Sequence, residues 1–319
     1  MSSLHRRDFL AAAAATAAAG ATGVLAQSSW ADAPKSQPHK AMIGIPSEAL
    51  LTEWKEAGFE GMESMDHGAS PAKAAAVRKL AEKLGMRIHS VMYGWANFNN
   101  PAAVAGDLAS VETALKAAAA YGADTVLLVP CRIGGNMPEA WEFDIRFDPA
   151  TGHLKQVVSG DNGPYADYIA NHNRSADASR EAVKRLIPVA EKAGVIIALE
   201  NVWNSMWVAP DFYQNFVASF DTPWVRAYFD IGNHVKYSPP QKWIRTLGKL
   251  IAKCHVKDFK LNPNGHGGTF CNIRDGSVDW PAVRGALAEI GYNGWMSIEG
   301  GNLSPKEHSR RFDLILAGK

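Results

Sequence analysis

The chain has 319 residues, 47% of them hydrophobic and 20% charged, with a net charge of +1. That is ordinary globular composition, long enough for a large core, and it shows no basic excess of the kind that nucleic-acid or membrane-surface binding requires. Three cysteines, Cys131, Cys254 and Cys271, with no CxxC spacing, argue against a disulfide framework and against a thiolate zinc site.

The N-terminal stretch HRRDFLAAAAATAAAGATGVLAQSS carries Arg6 and Arg7, then Phe9-Leu10, an Ala-rich run and small residues. The run is Ala and Gly rather than Leu and Ile, too weakly apolar for a spanning helix. It resembles a twin-arginine export signal. Residues 1–33 are therefore expected to be signal and linker, cleaved after Ala26 or Ala33. The mature protein is expected in the periplasm or otherwise outside the cytoplasm. The twin-arginine resemblance also implies carriage of an already folded protein, often with a cofactor or metal inside.

From residue 41 to 319, short apolar runs alternate with amphipathic stretches. MIGI precedes a helical pattern through Trp54. FEGMES precedes PAKAAAVRKLAEKLG, RIHSVMY precedes VAGDLASVETALKAAAAYG, and DTVLLVP follows. Further on, ASREAVKRLIPVAEKAG leads into VIIALEN. Then come PDFYQNFVASF, VRAYFDIGN, QKWIRTLGK, IAKCHVKD, DWPAVRGALAEIG, WMSIEG and a last helix from about Pro305. Helices that stop on Gly85, Gly122 and Gly194 carry a C-cap residue free to turn left-handed. Eight alternating strand–helix pairs over this length predict parallel strands in a single (β/α)8 TIM barrel. A doubly wound sheet is disfavoured because no GxGxxG follows the first strand.

One stretch breaks the alternation. Residues 131–177, between the fourth strand and its helix, are too long for a plain loop. EFDIRFDPATGHLKQVV alternates on both sides of a turn-rich DPATGH, which predicts a β-hairpin. Its place after a strand C-terminus makes it a candidate lid or substrate wall.

Strands five to eight end in IIALEN, AYFD, KCHVKD and MSIEG, with Glu200, Asp230, His255 and Glu299 at their C-terminal ends. In a closed barrel these positions converge on one mouth. Alternation along each strand turns Leu199, Ile197, Cys254 and Val256 toward the helices when Glu200, His255 and Lys257 point inward. A single Asp or Glu after a strand is commonly the cap of the next segment. Four such residues on four successive strands, one of them an inward His, repel one another unless a cation sits among them. Oxygen ligands with one nitrogen suit a single divalent ion: Mn²⁺, Mg²⁺, Co²⁺ or Zn²⁺. His89, His234, Lys257, Arg274 and Trp203 are candidates for holding substrate, and Glu63 for supporting a ligand. Trp95, Trp203 and Trp207 stand in loops after strands three and five, where their aromatic faces can line a ligand site.

ALEN, FDIGN, HVKD and IEG, in this order on successive strands, resemble the xylose isomerase-like barrel superfamily, within it the sugar phosphate isomerase/epimerase group. GFEGMES and IRDGSVDWPAVRGALAEIGYNGW extend the resemblance over nearly the whole mature chain. It implies that Glu200, Asp230, His255 and Glu299 bind the metal, which chelates a carbonyl and neighbouring hydroxyl of an open-chain sugar. It also implies that Glu200 and Glu299 shift a proton through a cis-enediolate. The chain departs from the ketose 3-epimerases of that group, which carry an Arg shortly after the strand-seven His; here stand Phe259, Lys260 and Leu261. Where related proteins have GEG, this chain has Arg274-Asp275-Gly276.

The expected function is a metal-dependent isomerase or epimerase of a small sugar or related carbonyl polyol, with neither nucleic acid nor membrane as partner; a homo-oligomer is compatible. Export argues against a phosphorylated substrate. Two alternatives use the same barrel: a metal-dependent lyase or hydrolase of 3-keto-glycosides, and a sugar-binding barrel without catalysis.

Overall fold

The computed structural model describes residues 36–319; the expected export signal lies outside them. In chain order the elements are β1 (His39–Gly44), α1 (Glu48–Glu56), β2 (Gly61–Ser64), α2 (Pro71–Lys83), β3 (Arg87–Trp95), α3 (Val104–Tyr121) and β4 (Thr125–Val129). A short hairpin, β5 (Arg146–Phe147) with β6 (Leu154–Gln156), leads to α4 (Ala166–Ala193), β7 (Ile196–Glu200), α5 (Pro210–Ala218), β8 (Val225–Asp230), α6 (Pro240–Leu247) and β9 (Ile251–Val256). A second hairpin, β10 (Asp258–Leu261) with β11 (Gly268–Cys271), precedes α7 (Trp280–Glu289), β12 (Trp295–Ile298) and α8 (Pro305–Leu316).

Eight of the strands close into a barrel in the order β1-β12-β9-β8-β7-β4-β3-β2. Each neighbouring pair is parallel. One helix follows each barrel strand, so the expected (β/α)8 TIM barrel is the fold.

Local chemistry explains the alternation. Ser47, Ser70, Asp279 and Ser304 accept a backbone N–H at the starts of α1, α2, α7 and α8. Proline stands in the first turn of α2, α5, α6, α7 and α8, where its missing N–H costs nothing. Gly122 and Gly194 end α3 and α4 with φ of 73° and 67°. Alternate residues of the strands then divide between two cores. Ile197, Leu199, Phe229, Cys254 and Val256 pack outward against the helices, while Leu127, Val129, Ala198 and Tyr228 fill the barrel axis.

Two features differ from expectation. The insertion is shorter than 131–177, because α4 begins at Ala166; Tyr168, His172, Ser175, Ala176 and Ser179 recur at helical spacing and are buried. The hairpin β5–β6 within it is as expected. The second hairpin, after β9, was not anticipated. Its connection, NPNGHG, carries the turn signals that could have revealed it.

Candidate metal and substrate site

Glu200, Asp230, His255 and Glu299 converge at the C-terminal mouth, with one ligand atom from each lying within 4.8 Å of the others. His255 is at the centre. Its Nδ1 is 3.1 Å from Glu200 Oε1, 3.0 Å from Glu299 Oε2 and 3.9 Å from Asp230 Oδ2. Register explains this: Asp230 is paired with His255 across β8 and β9, and Glu299 follows β12, whose Ile298 pairs with Val256.

The ring's far side is fixed from below. His255 Nε2–H donates to Glu63 Oε2 at 2.9 Å, and the same oxygen accepts from Tyr228 OH at 2.6 Å. Ser90 Oγ donates to Glu63 Oε1 at 3.2 Å. Glu63, Tyr228 and His255 are completely buried. A carboxylate on the outer nitrogen of an imidazole orients the ring and makes the inner nitrogen a better metal ligand. Here it turns Nδ1 toward the three carboxylates.

Asp230 both caps and faces the cluster, with one oxygen for each task. Oδ1 accepts the backbone N–H groups of Gly232 and Asn233, each at 2.7 Å. Oδ2 is buried without a hydrogen-bond partner and points toward His255 and Lys257. Glu299 Oε2 is buried too, 3.0 Å from His255 Nδ1 but without a well-aligned hydrogen bond. Buried carboxylate oxygens without a well-aligned hydrogen bond are costly in a folded chain. Two of them aimed at one imidazole nitrogen, with Glu200 alongside, form a hard-oxygen donor set that a divalent cation fits.

The electrostatics reflect the same crowding. Burial drives Asp230 up to about 8, against the pull of Lys257, with Glu299 and Glu200 adding to the rise. Burial, outweighing His255, also raises Glu200. For Glu299 burial is overcome by His255 and Lys257, which hold it below the usual carboxylate range. His255 resists burial because Glu63, Glu200 and Glu299 surround it, and it is raised well above an ordinary imidazole.

Lys257 joins the cluster on the face expected of it. Its Nζ lies 2.9 Å from Glu299 Oε1, 3.5 Å from Asp230 Oδ2 and 3.3 Å from Asn233 Oδ1. Gly232 makes room for that strand end: a Cβ there would be 2.7 Å from the Lys257 carbonyl oxygen. Asn201 and Asn233, not singled out in the sequence, tie β7 to β8. Asn201 Oδ1 accepts from Asp230 N at 2.6 Å, its Nδ2 donates to Asp230 O at 2.9 Å, and Asn233 Nδ2 donates to Asn201 O at 3.2 Å. Both lie within the motifs ALEN and FDIGN, which was the available signal.

Other candidates are placed elsewhere. His89 lies completely buried inside the barrel, stacked on Trp295 at 4.8 Å with Nε2 on Ser297 Oγ at 2.9 Å. It packs the axis and touches none of the four cluster residues. His234 ties two loops together: its Nε2–H donates to Trp207 O at 2.6 Å and its Nδ1 accepts from Asn201. Burial lowers it to about 3. The Arg274 side chain is exposed and bonded to nothing among the described residues; its backbone, at φ 73°, donates N–H to Asp258 Oδ2. Trp207 is core, and the Trp95 ring is covered by the Arg132 guanidinium at 4.2 Å. Trp203 does stand at the mouth, its Nε1 donating to Asn233 O and its ring beside Phe270 at 4.8 Å.

Fold and site together define a TIM barrel with one carboxylate–histidine cluster at its C-terminal mouth. The family pattern of the xylose isomerase-like TIM barrels matches residues 51–313, and the chain belongs to that family. An uncharacterized protein of Methanocaldococcus jannaschii is 27% identical over 158 residues, covering 48% of this chain; the match spans only 49% of that protein. Among solved structures, the 3-keto-D-glucoside 4-epimerase YcjR of E. coli is similar in fold at TM-score 0.62 and 14% identity, covering 88% of this chain and all (100%) of that one. A xylose isomerase-like TIM barrel protein from Mycobacterium smegmatis, solved in complex with magnesium, aligns at TM-score 0.58 and 20% identity, covering 85% and 87% of the two chains.

Proposed function

We propose that the protein is a divalent-metal-dependent isomerase or epimerase of a carbonyl-bearing sugar. The observation that carries this reading is the set of four ligand atoms within 4.8 Å of one another at the barrel mouth, with Asp230 Oδ2 and Glu299 Oε2, neither in a well-aligned hydrogen bond, among the groups facing it. Glu200, Asp230, His255 and Glu299 would hold the ion, with Glu63 orienting His255. When bound, the ion supplies Lewis-acid polarisation of a substrate carbonyl.

The chain's own groups do the rest. Glu200 and Glu299 are the candidates for moving a proton at the carbon beside the carbonyl. Glu200 ends β7 and Glu299 follows β12, with β8 and β9 between them, so the two carboxylates reach the mouth from separate strands. Lys257, 2.9 Å from Glu299, places a fixed positive charge where a substrate oxygen would gain negative charge. The fold relationship to a 3-keto-glucoside epimerase supports sugars as the substrate class.

Elemental analysis of the purified mature protein, paired with deuterium uptake from solvent into a panel of sugars, tests the proposal. About one divalent ion per chain and exchange at one carbon are expected, with exchange lost in Glu200→Gln and Glu299→Gln. A protein free of metal that still binds sugar would instead be a binding barrel. The Arg6-Arg7 segment supports export as the setting in which it works, and N-terminal sequencing of the secreted protein checks that.

A further inference from the structure

Among the loops of the mouth lies a cavity of about 220 Å³, whose walls include Trp141, Trp203, Lys236, Tyr237 and Phe259. Four separate loops of the mouth build it. Trp141 comes from the insertion after β4, Trp203 from the loop after β7, Lys236 and Tyr237 from the turn after β8, and Phe259 from the second hairpin. Trp141 stacks on His266 of that hairpin, ring centroids 4.1 Å apart and planes 5° from parallel. Two excursions that a bare barrel does not need thus meet at this one place.

One wall of the cavity, Trp203, is linked to the cluster through Phe270. The Phe270 ring lies 4.9 Å from Lys257 Nζ on one side and 4.8 Å from the Trp203 ring on the other. Lys257 in turn contacts Glu299. Lys257, Phe270 and Trp203 thus form one run of contacts from the cluster to the cavity wall.

The chemistry of the walls selects the occupant. Aromatic faces suit the C–H side of a sugar ring. Lys236 Nζ sits 3.6 Å over the Trp203 ring and 5.1 Å from the Tyr237 ring, where its ammonium lines the cavity. Glu139 lines the same space as an acceptor. Only one lysine faces the cavity, too little for a phosphate clamp. The volume is below the roughly 300 Å³ lower end for drug-sized ligands, which suits one ring.

We propose that this cavity is a subsite for a second sugar ring, so that the substrate is a glycoside whose carbonyl-bearing ring sits at the carboxylate–histidine cluster. The proposal rests on the sugar reading above. It is tested by titrating metal-loaded protein, by calorimetry and tryptophan fluorescence, with methyl glucoside and with the methyl glycosides of the α- and β-linked glucose disaccharides. These probes have no free carbonyl and do not turn over. At least one disaccharide is expected to bind tenfold or more tightly than methyl glucoside. Trp141→Ala and Lys236→Ala, both at partly exposed positions, are each expected to reduce that preference below threefold with monosaccharide binding unchanged. Equal binding of one ring and two, or a preference that survives both variants, overturns the subsite. A preference retained without deuterium exchange into any sugar sinks the isomerase reading and leaves the subsite standing; exchange into free ketoses without the preference does the reverse.

Discussion

At the scale of single residues, the site depends on how His255 is held. Its Nδ1 faces the carboxylates because Glu63 takes the proton on Nε2. Glu63→Gln keeps the shape and removes the charge. Metal affinity is expected to fall about 10- to 100-fold, with activity returning at saturating metal. Competition against a chromophoric chelator measures this, and an unchanged affinity would show Glu63 to be mere packing. The four ligand candidates could be read from the sequence because strand ends in a barrel obey parity and converge. His234 could not be placed that way. It sits in a turn, where parity says nothing, and its partner is the Trp207 carbonyl, 27 positions away in sequence. Arg274 was out of reach for a related reason: a left-handed backbone position, not its charge, fixes its place.

At the scale of elements, the second hairpin is organised by one buried carboxylate. Asp258 accepts N–H groups from Phe259, Arg274, Gly276 and Val278, and from the Trp280 indole. Asp258→Ala would leave these donors without their acceptor. A loss of roughly 2–4 kcal/mol is expected in urea unfolding, with faster amide exchange over residues 258–280. If stability changes by less than about 0.5 kcal/mol, the hairpin is held by its aromatic contacts instead. The alternation of strands and helices was legible because each helix carries its own start and stop signals. The hairpin was missed because its strands are short, and Lys260 and Phe270 show little apolar alternation. Likewise α4 was begun too late, since Tyr168 and His172 read as loop residues until the packing partners of that face are known.

At the scale of the whole molecule, buried neutral histidines make the fold sensitive to acid. Burial lowers His172 to about 4, while in the unfolded chain it titrates near 6.5. Below about 6.5 the unfolded state takes up a proton that the folded state refuses, so stability falls as pH drops toward 4. His172 Nε2–H donates to Met206 O at 2.8 Å, a bond a glutamine can imitate. The stability difference between wild type and His172→Gln is therefore expected to shrink by about 2–3 kcal/mol between pH 6.5 and 4.5. Urea titrations at several pH values follow it, and parallel curves for the two proteins would contradict a neutral His172. Among the described residues no helix is long and apolar enough to cross a membrane.

The divided labour of the Asp230 carboxylate has a kinetic corollary. One oxygen holds the turn after β8 through the N–H groups of Gly232 and Asn233 and leaves the other to the cluster. An ion entering the cluster is expected to displace protons from Asp230 and His255, so its uptake should quicken as pH rises. Slow ions such as Mg²⁺ should load at the pace at which they shed their own water.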